Sequence, residues 1–386
     1  MFAIHYRSLL ALVLAAALAS CASLPTDYPR ESSEAFQDHQ DTLIGGRVAK
    51  GAAQHPGKSG FALLRHGRPA FTGRIAFTAL AEKTLDVQYY IWEDDATGHI
   101  LAQRLLEAAD RGIRVRVLLD DINLKGRDDH IAALDAHPNI EIRLFNPFAH
   151  RSARALDFIV DFGRVNHRMH NKLIVMDNAF AIVGGRNIGN HYFQVDEHAN
   201  FRDLDIVAAG PVVREISSVF DHFFNGEWSI PIAALVDKPQ TAQDLQEARS
   251  AQAKMIASEN YPHPLDQDVA ELSVEITDMV DKLIWAPGRV IWDDPKSIQE
   301  TGSTSRMQEA LHKRVARLEE ELLIESAYFV VRDRALDALR TLSERGVRVR
   351  ILTNSLISND VLAAHAGYAE RRKELVANGA EVYELR

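Results

Sequence analysis

The sequence predicts a fold of the α/β class, built twice along the chain, and three observations predict it. Helical and strand periodicities alternate from residue 60 onward. A ten-residue helix-to-strand phrase returns 234 residues after its first occurrence. The composition is that of a globular protein: of 386 residues, 46% are hydrophobic and 25% charged, enough to bury sizeable cores and to exclude wholesale disorder. The net charge of −10 argues against a protein that coats nucleic acid. A single cysteine excludes an internal disulfide framework and a Cys-rich zinc site.

Residues 1–20 read as a lipoprotein signal peptide. Arg7 precedes an apolar run over residues 9–19 that is too short to span a bilayer, and Leu18-Ala19-Ser20-Cys21 has the form of a lipobox. Lipidation at Cys21, the chain's one thiol, would tether the mature protein to a membrane. Ala22 and Ser23, not Asp, follow it, the pattern of sorting to the outer membrane with the body facing the periplasm. Residues 21–59, rich in Ser, Asp, Gln, Gly and Pro, are expected to be a tether without chemistry.

From residue 60 to about 230 the sequence predicts a first domain: a helix near 70–81, a strand over 85–92, a helix near 100–111, and a strand over 115–119 ending on Asp120 and Asp121. Such alternation predicts a sheet covered on both faces. The phrase Arg111-Gly112-Ile113-Arg114-Val115-Arg116-Val117-Leu118-Leu119-Asp120 is matched by Arg345-Gly346-Val347-Arg348-Val349-Arg350-Ile351-Leu352-Thr353-Asn354. Tyr89-Tyr90-Ile91 pairs with Ala327-Tyr328-Phe329, and Glu141-Ile142-Arg143 with Glu381-Val382-Tyr383. Three matched segments in order make the chain an internal duplication. Residues 231–304 lack the repeat and read as a linker with inserted helices, leaving 305–386 as a partial second domain.

The chemistry is concentrated in His170-Asn171-Lys172-Leu173-Ile174-Val175-Met176-Asp177 followed by Gly184-Gly185-Arg186-Asn187, a spacing of H-x-K-x4-D-x6-G-G-x-N. Chance composition would supply its fixed positions in roughly one such chain in ten thousand. A strand period of two puts His170 and Lys172 on one face. A lysine there neutralises phosphate oxygens, and an imidazole attacks phosphorus or protonates a leaving oxygen. Gly184 and Gly185 let backbone approach a ligand, the Asn187 amide can donate to a phosphoryl oxygen, and Asp177 is expected to orient an imidazole. No second cluster at ligand spacing accompanies them, so neither a metal nor another cofactor is required. Each residue alone reads as ordinary strand and bulge; the combination does not.

In that combination the sequence resembles the HKD motif of the phospholipase D superfamily. Val87-Gln88-Tyr89-Tyr90-Ile91-Trp92, Leu118-Leu119-Asp120-Asp121, Phe145-Asn146-Pro147-Phe148, Phe201-Arg202-Asp203-Leu204-Asp205, Leu352-Thr353-Asn354-Ser355-Leu356 and His365-Ala366-Gly367-Tyr368 resemble the bacterial cardiolipin-synthase branch, most of all type C. The resemblance implies a phospholipase D-like, pseudo-two-fold duplicated α-β-α sandwich. It implies one active site built from two such motifs, one histidine forming a phosphatidyl-histidine and the other protonating the departing alcohol. Carried onto this chain, His170 is the nucleophile, Lys172 and Asn187 bind phosphate, and Asp177 orients an imidazole. The implied substrates are phospholipids, phosphatidylglycerol and phosphatidylethanolamine among them; phosphatidylglycerol as acceptor gives cardiolipin and water gives phosphatidic acid.

By the repeat register a second motif is expected about 25 residues beyond Leu385, whereas the sequence ends at Arg386, and of 16 histidines only His170 has a lysine two positions on. The second half therefore reads as incomplete, short by about 80 residues of sheet, the chain as an inactive fragment, and the strand around Ile351 as an exposed edge prone to aggregation. Pairing of two chains could restore a site, but the partial second half would occupy that interface. Two other readings stand beside the phosphatidyltransferase: a phosphodiesterase or nuclease, favoured by Arg151, Arg154, Arg164, His167 and Arg168 just before the motif, and a catalytically dead envelope protein. Tyr89, Tyr90 and Tyr328 are candidates to line a lipid channel, and Trp285 and Trp292 to flank a membrane-facing loop, although packed strand and loop aromatics are the commoner explanation of both.

Overall fold

Segments of period two become strands β1 (Ser59–Leu64), β2 (Thr84–Tyr89), β3 (Arg114–Asp120), β4 (Ile140–Phe145), β5 (Leu173–Met176), β6 (Phe180–Gly184), β7 (Asp205–Ala209), β8 (Ser229–Pro231) and β9 (Ile284–Ala286). The computed structural model describes residues 23–196, 199–259, 261–262, 268–299 and 305–385. It divides into two units, Met1–Val290 and Ile291–Arg386. Cys21 and the rest of the signal segment lie outside the described residues.

In the first unit the strands form one sheet in the order β8-β4-β3-β2-β5-β6-β7-β1-β9. β2, β3 and β4 are parallel, while β5 runs antiparallel to β2, pairing Leu85 with Met176 and Gln88 with Leu173. The helices are α1 (Leu43–Gln54), α2 (Gly67–Leu80), α3 (Ala96–Asp110), α4 (Asp128–Asp135), the single turns α5 (Asp157–Val160) and α6 (Phe162–Val165), α7 (Pro211–Phe224), α8 (Ala242–Ser258) and α9 (Val269–Asp281). Alternation decides what each face of the sheet packs against. Val115, Val117 and Leu119 of β3 join Phe71 and Phe77 of α2, Leu101 and Leu105 of α3, Ile131 of α4 and Ile276 of α9 in the main core. On the opposite face Arg116 lies beneath α7, bonded to Asp86 at 2.7 Å and Asp221 at 2.8 Å, its guanidinium over the rings of Phe220 and Phe224. An α-β-α sandwich results.

The expected tether is not one. Thr42 caps α1, its Oγ1 accepting from the Gly45 amide at 3.2 Å, and Ile44 and Val48 enter the core. The stretch before it is held to the sheet, Arg143 donating to the Glu31 carbonyl at 2.7 Å and the Ala35 amide to Asp221 at 2.9 Å. The missed signal is Ile44 and Val48, an i, i+4 pair among glycines, alanines and long polar side chains. The expected linker likewise contributes β9, α8 and α9 to the first unit.

The second unit contains α10 (Arg306–Val315), α11 (Asp333–Glu344), α12 (Leu362–Ala377) and three parallel strands, β10 (Glu321–Glu325), β11 (Arg348–Asn354) and β12 (Glu381–Leu385). The order β10-β11-β12 repeats β2-β3-β4 in register: Val117 pairs with Ile142, and Ile351 with Val382. Both copies end the preceding helix alike. Gly112 and Gly346 have φ of 90° and 80°, and the next amides, of Ile113 and Val347, bond back to Ala108 and Leu342. The expected exposed edge at Ile351 is corrected, because β11 is the central strand and pairs on both sides. The edges are β10 and β12, whose Glu321, Glu325, Glu381 and Glu384 place charge there.

Candidate functional site

Because β5 is antiparallel to β2, the residues before Leu173 arrive at the carboxyl ends of β2, β3 and β4, the end of a parallel sheet where ligands bind. Two strand ends fix this approach. Asp120, closing β3, accepts from the Met169 amide at 2.7 Å and from Arg168 Nη1 at 3.1 Å, and caps Ile122 at 2.9 Å. Asn146, in the left-handed region at φ 47°, donates through Nδ2 to the carbonyls of Arg164 at 2.9 Å and His167 at 2.7 Å. His170 follows with its ring open to solvent and tilted against Tyr90, centroids 4.6 Å apart.

Lys172 is buried. His170 and Lys172 precede the strand, which starts at Leu173, yet they meet as expected: Lys172 Nζ donates to the His170 carbonyl at 2.7 Å and lies 3.2 Å from Nδ1 and 5.4 Å from the Tyr90 ring centre. Partial desolvation, and then the neighbouring ammonium, lower the His170 pKa to about 4. Burial lowers Lys172 to about 8, with Asp203, Asp120 and Asp205 acting in the other direction. At neutral pH the imidazole is neutral and the amine still mainly charged, the protonation states that attack on phosphate needs. Asp120 is pushed up to about 6 by burial, opposed chiefly by Arg168.

The other expected site residues are placed differently. Asp177 sits at the far end of β5, at φ 53°, and accepts three amides, Glu82 at 3.0 Å and Lys83 and Thr84 at 2.8 Å each. Its carboxylate anchors the start of β2 and orients no imidazole. A Cβ on Gly184 would lie 2.1 Å from Asp205 Oδ1, and one on Gly185 2.0 Å from Asp203 Oδ1. The glycines thus admit the strand carrying these aspartates; they clear no space for a ligand. Asn187 is buried, its Oδ1 accepting from the Ile91 amide at 3.1 Å and its Nδ2 donating to Tyr192 at 2.9 Å, so it fixes the wall behind Tyr90. Asp205 ion-pairs with Arg74 at 2.9 Å and Arg186 at 3.4 Å inside the core.

The arginines before the motif are committed as well. Arg151 pairs with Asp121 and Asp128, Arg154 with Asp121 at 2.8 Å, and Arg164 with Asp161 at 2.5 Å. They brace the loop, and no open basic stripe results. Tyr89 is buried against Arg74, Tyr328 donates to Asp360 in the second unit, and Trp285 stacks on His55 at 5.0 Å. Asp120, which the sequence places only at a strand end, caps Ile122 and also positions the residue before His170. Its place at the end of β3 was the available signal.

A model of the family described as "Cardiolipin synthase, PLD-like domain" matches residues 75–228 and 311–386, which carry β2 to β7 of the first unit and β10 to β12 of the second. The chain belongs to this family. It is 41% identical over 339 residues to cardiolipin synthase C of Escherichia coli strain K12, covering 86% of this chain and 71% of that one. It is 33% identical over 186 residues to a cardiolipin synthase of Geobacillus kaustophilus, covering 47% of this chain and 35% of the relative. Among solved structures, phosphatidylserine synthase of Haemophilus influenzae Rd KW20 shares the fold, with a TM-score of 0.53 at 14% identity over 89% of this chain and 77% of that one. The family fold is therefore present, as the motif implied. Among the described residues no three His, Cys, Asp or Glu side chains are grouped to hold a metal ion, and no helix is long and apolar enough to cross a membrane.

Proposed function

We propose that this cardiolipin-synthase family member is a phosphatidyltransferase in which His170 attacks the phosphorus of a phospholipid. The observation that carries the proposal is the pair itself, an exposed neutral imidazole beside a buried lysine ammonium at the strand ends. The ring nitrogen forms an N–P bond as the P–O bond to the departing alcohol breaks, and that alcohol takes up a proton. The ring's own proton must sit on the nitrogen that does not attack. With a phosphate bound, the Lys172 ammonium turns from Nδ1 to a non-bridging oxygen, leaving Nδ1 able to carry that proton while Nε2 attacks. A second alcohol then displaces the histidine, its oxygen forming the new P–O bond as the N–P bond breaks and its proton passing to the group that gave one to the first alcohol: the hydroxyl of phosphatidylglycerol yields cardiolipin, and water yields phosphatidic acid. Family resemblance assigns the proton for the first alcohol to a second histidine of the same motif type.

Asp120, Asn146 and Tyr90 are positioning residues in this scheme, and Asp177, Gly184, Gly185 and Asn187 hold the strands that carry it. Lipidation at Cys21, with the body on the periplasmic side of the cell envelope and sorting to the outer membrane, is the location that Leu18-Ala19-Ser20-Cys21 supports. The test is phosphatidyl transfer by the purified chain on phosphatidylglycerol with and without phosphatidylethanolamine, beside His170→Ala, with a p-nitrophenyl phosphatidyl ester as the donor whose leaving group needs no second histidine. Cardiolipin formation abolished by the substitution supports the reading, and turnover that survives it rejects the reading.

A further inference from the structure

The segment that delivers His170 to the strand ends has its polarity reversed. In α5 and α6 the apolar side chains face outward, with Ile159 78% exposed, Val160 59%, Phe162 57% and Phe158 41%. Two charged groups turn inward, Asp157, 1% exposed and bonded to His150, and Arg154, which reaches the Asp121 carbonyl at 2.6 Å, while Asp161 stays half-exposed beside Arg164. A surface helix ordinarily does the opposite. The pair of turns is also braced, since Arg164 donates to Asn146 Oδ1 at 2.6 Å and Phe148 packs on Phe158 with centroids 5.5 Å apart.

We propose that this apolar face inserts into the surface of a phospholipid bilayer and places the His170 site at headgroup level. The inference rests on the phospholipid reading above, and two further observations single out the bilayer as occupant. Asp157 and Asp161 are the only charges in residues 155–163; Asp157 is buried against His150, and Asp161, its side chain 43% exposed, pairs with Arg164, so insertion leaves neither without a partner. The start of the described chain reaches the same end of the sheet. Arg30 donates to the Glu227 carbonyl at 2.8 Å, and the Trp228 carbonyl next to it accepts from Asn146, the residue that braces the apolar turns. Residues 22–29 separate this point from Cys21, a reach of at most about 30 Å, so a lipid on Cys21 can reach the side where the face lies.

The test places an environment-sensitive fluorophore on Ile159→Cys, and in a control on Lys58→Cys, in the full chain carrying Cys21→Ser so that one thiol reacts. The probe is vesicles of phosphatidylethanolamine and phosphatidylglycerol, with and without brominated acyl chains. Expected is aqueous emission at position 159 in buffer, a blue shift with bromine quenching on vesicles, no change at position 58, and about tenfold less inserted label in Phe162→Asp. Apolar emission in buffer would mean that protein, such as a second copy, covers the face, and would overturn the proposal. So would a label that stays aqueous, whether or not the protein is vesicle-bound. Trapping the phosphatidyl-histidine from a p-nitrophenyl phosphatidyl ester, which needs no second histidine, separates the two claims: docking without an adduct on His170 upholds this inference and denies the phosphatidyltransferase, whereas an adduct without docking does the reverse.

Discussion

At the scale of single residues, the site depends on two groups held away from their usual proton affinities. With His170 near 4 and Lys172 near 8, the imidazole is neutral above the first value and the ammonium present below the second. Activity is expected to hold through the range where a free imidazole titrates and to fall as pH rises through about 8. Lys172→Arg, with a guanidinium that stays charged, should move that limb upward in a pH–rate profile; an unmoved limb would assign it to another group. The same pKa shift at His170 has a stability sign. Its folded pKa is depressed, so the unfolded chain takes up the proton first, and stability is lost as pH falls from about 6.5 toward about 4. Gly184 and Gly185 supply a prediction of a different kind. Alanine at either meets an aspartate at about 2 Å, and at 184 it also meets the Asp205 Cα at 2.6 Å. Gly184→Ala should therefore cost about 2 kcal/mol or more, and Gly185→Ala less because the Asp203 side chain can turn, as read by chemical denaturation.

At the scale of elements, β5 is defined by its two ends. Asp120 and Asn146 hold the entrance, and Asp177 holds the exit through three amides. Asp177→Ala leaves three amides without their acceptor, that of Thr84 buried, and is expected to destabilise the fold by about 2 kcal/mol, with KM unchanged in the protein that remains folded. A loss of turnover without a fall in stability would return the residue to the site. This division also marks what the sequence reveals. His170 and Lys172 are close in sequence, and their meeting is local, so spacing alone predicted it. The role of Asp177 depends on residues 82–84, and those of Gly184 and Gly185 on the pairing of Gly184 with Asp205 across β6 and β7. No local pattern encodes such contacts. The Arg151–Arg168 cluster was misjudged for the same reason, since its partners Asp120, Asp121 and Asp128 come from β3, the turn after it and the start of α4.

At the scale of the whole molecule, the duplication was legible because the repeated phrase spans a glycine cap and a central strand, features that tolerate little change. Helix α1 was not, because its core contacts are two residues in a polar, glycine-containing stretch. Each unit has a core of its own, and that of the second is small, built on Leu336, Leu339, Leu342, Ile351 and Tyr368. Leu342, 1% exposed, is its natural probe. Leu342→Ala should cost about 3 kcal/mol and appear only in the unfolding step of the second unit, leaving the transition of the first in place by calorimetry. A single cooperative transition, shifted as a whole, would show that the two units unfold together.

The central claim is that His170 is the nucleophile toward a phospholipid phosphorus. It is tested most directly with a phosphatidyl ester of p-nitrophenol, whose leaving group needs no proton donor and so isolates the attacking step from the second histidine. After an alkaline quench that preserves the N–P bond, mass spectrometry of the digested protein should place a phosphatidyl group on the peptide containing His170, with stoichiometric release of p-nitrophenolate and neither signal in His170→Ala. Release that persists in His170→Ala, or an adduct on any other residue, would contradict the account.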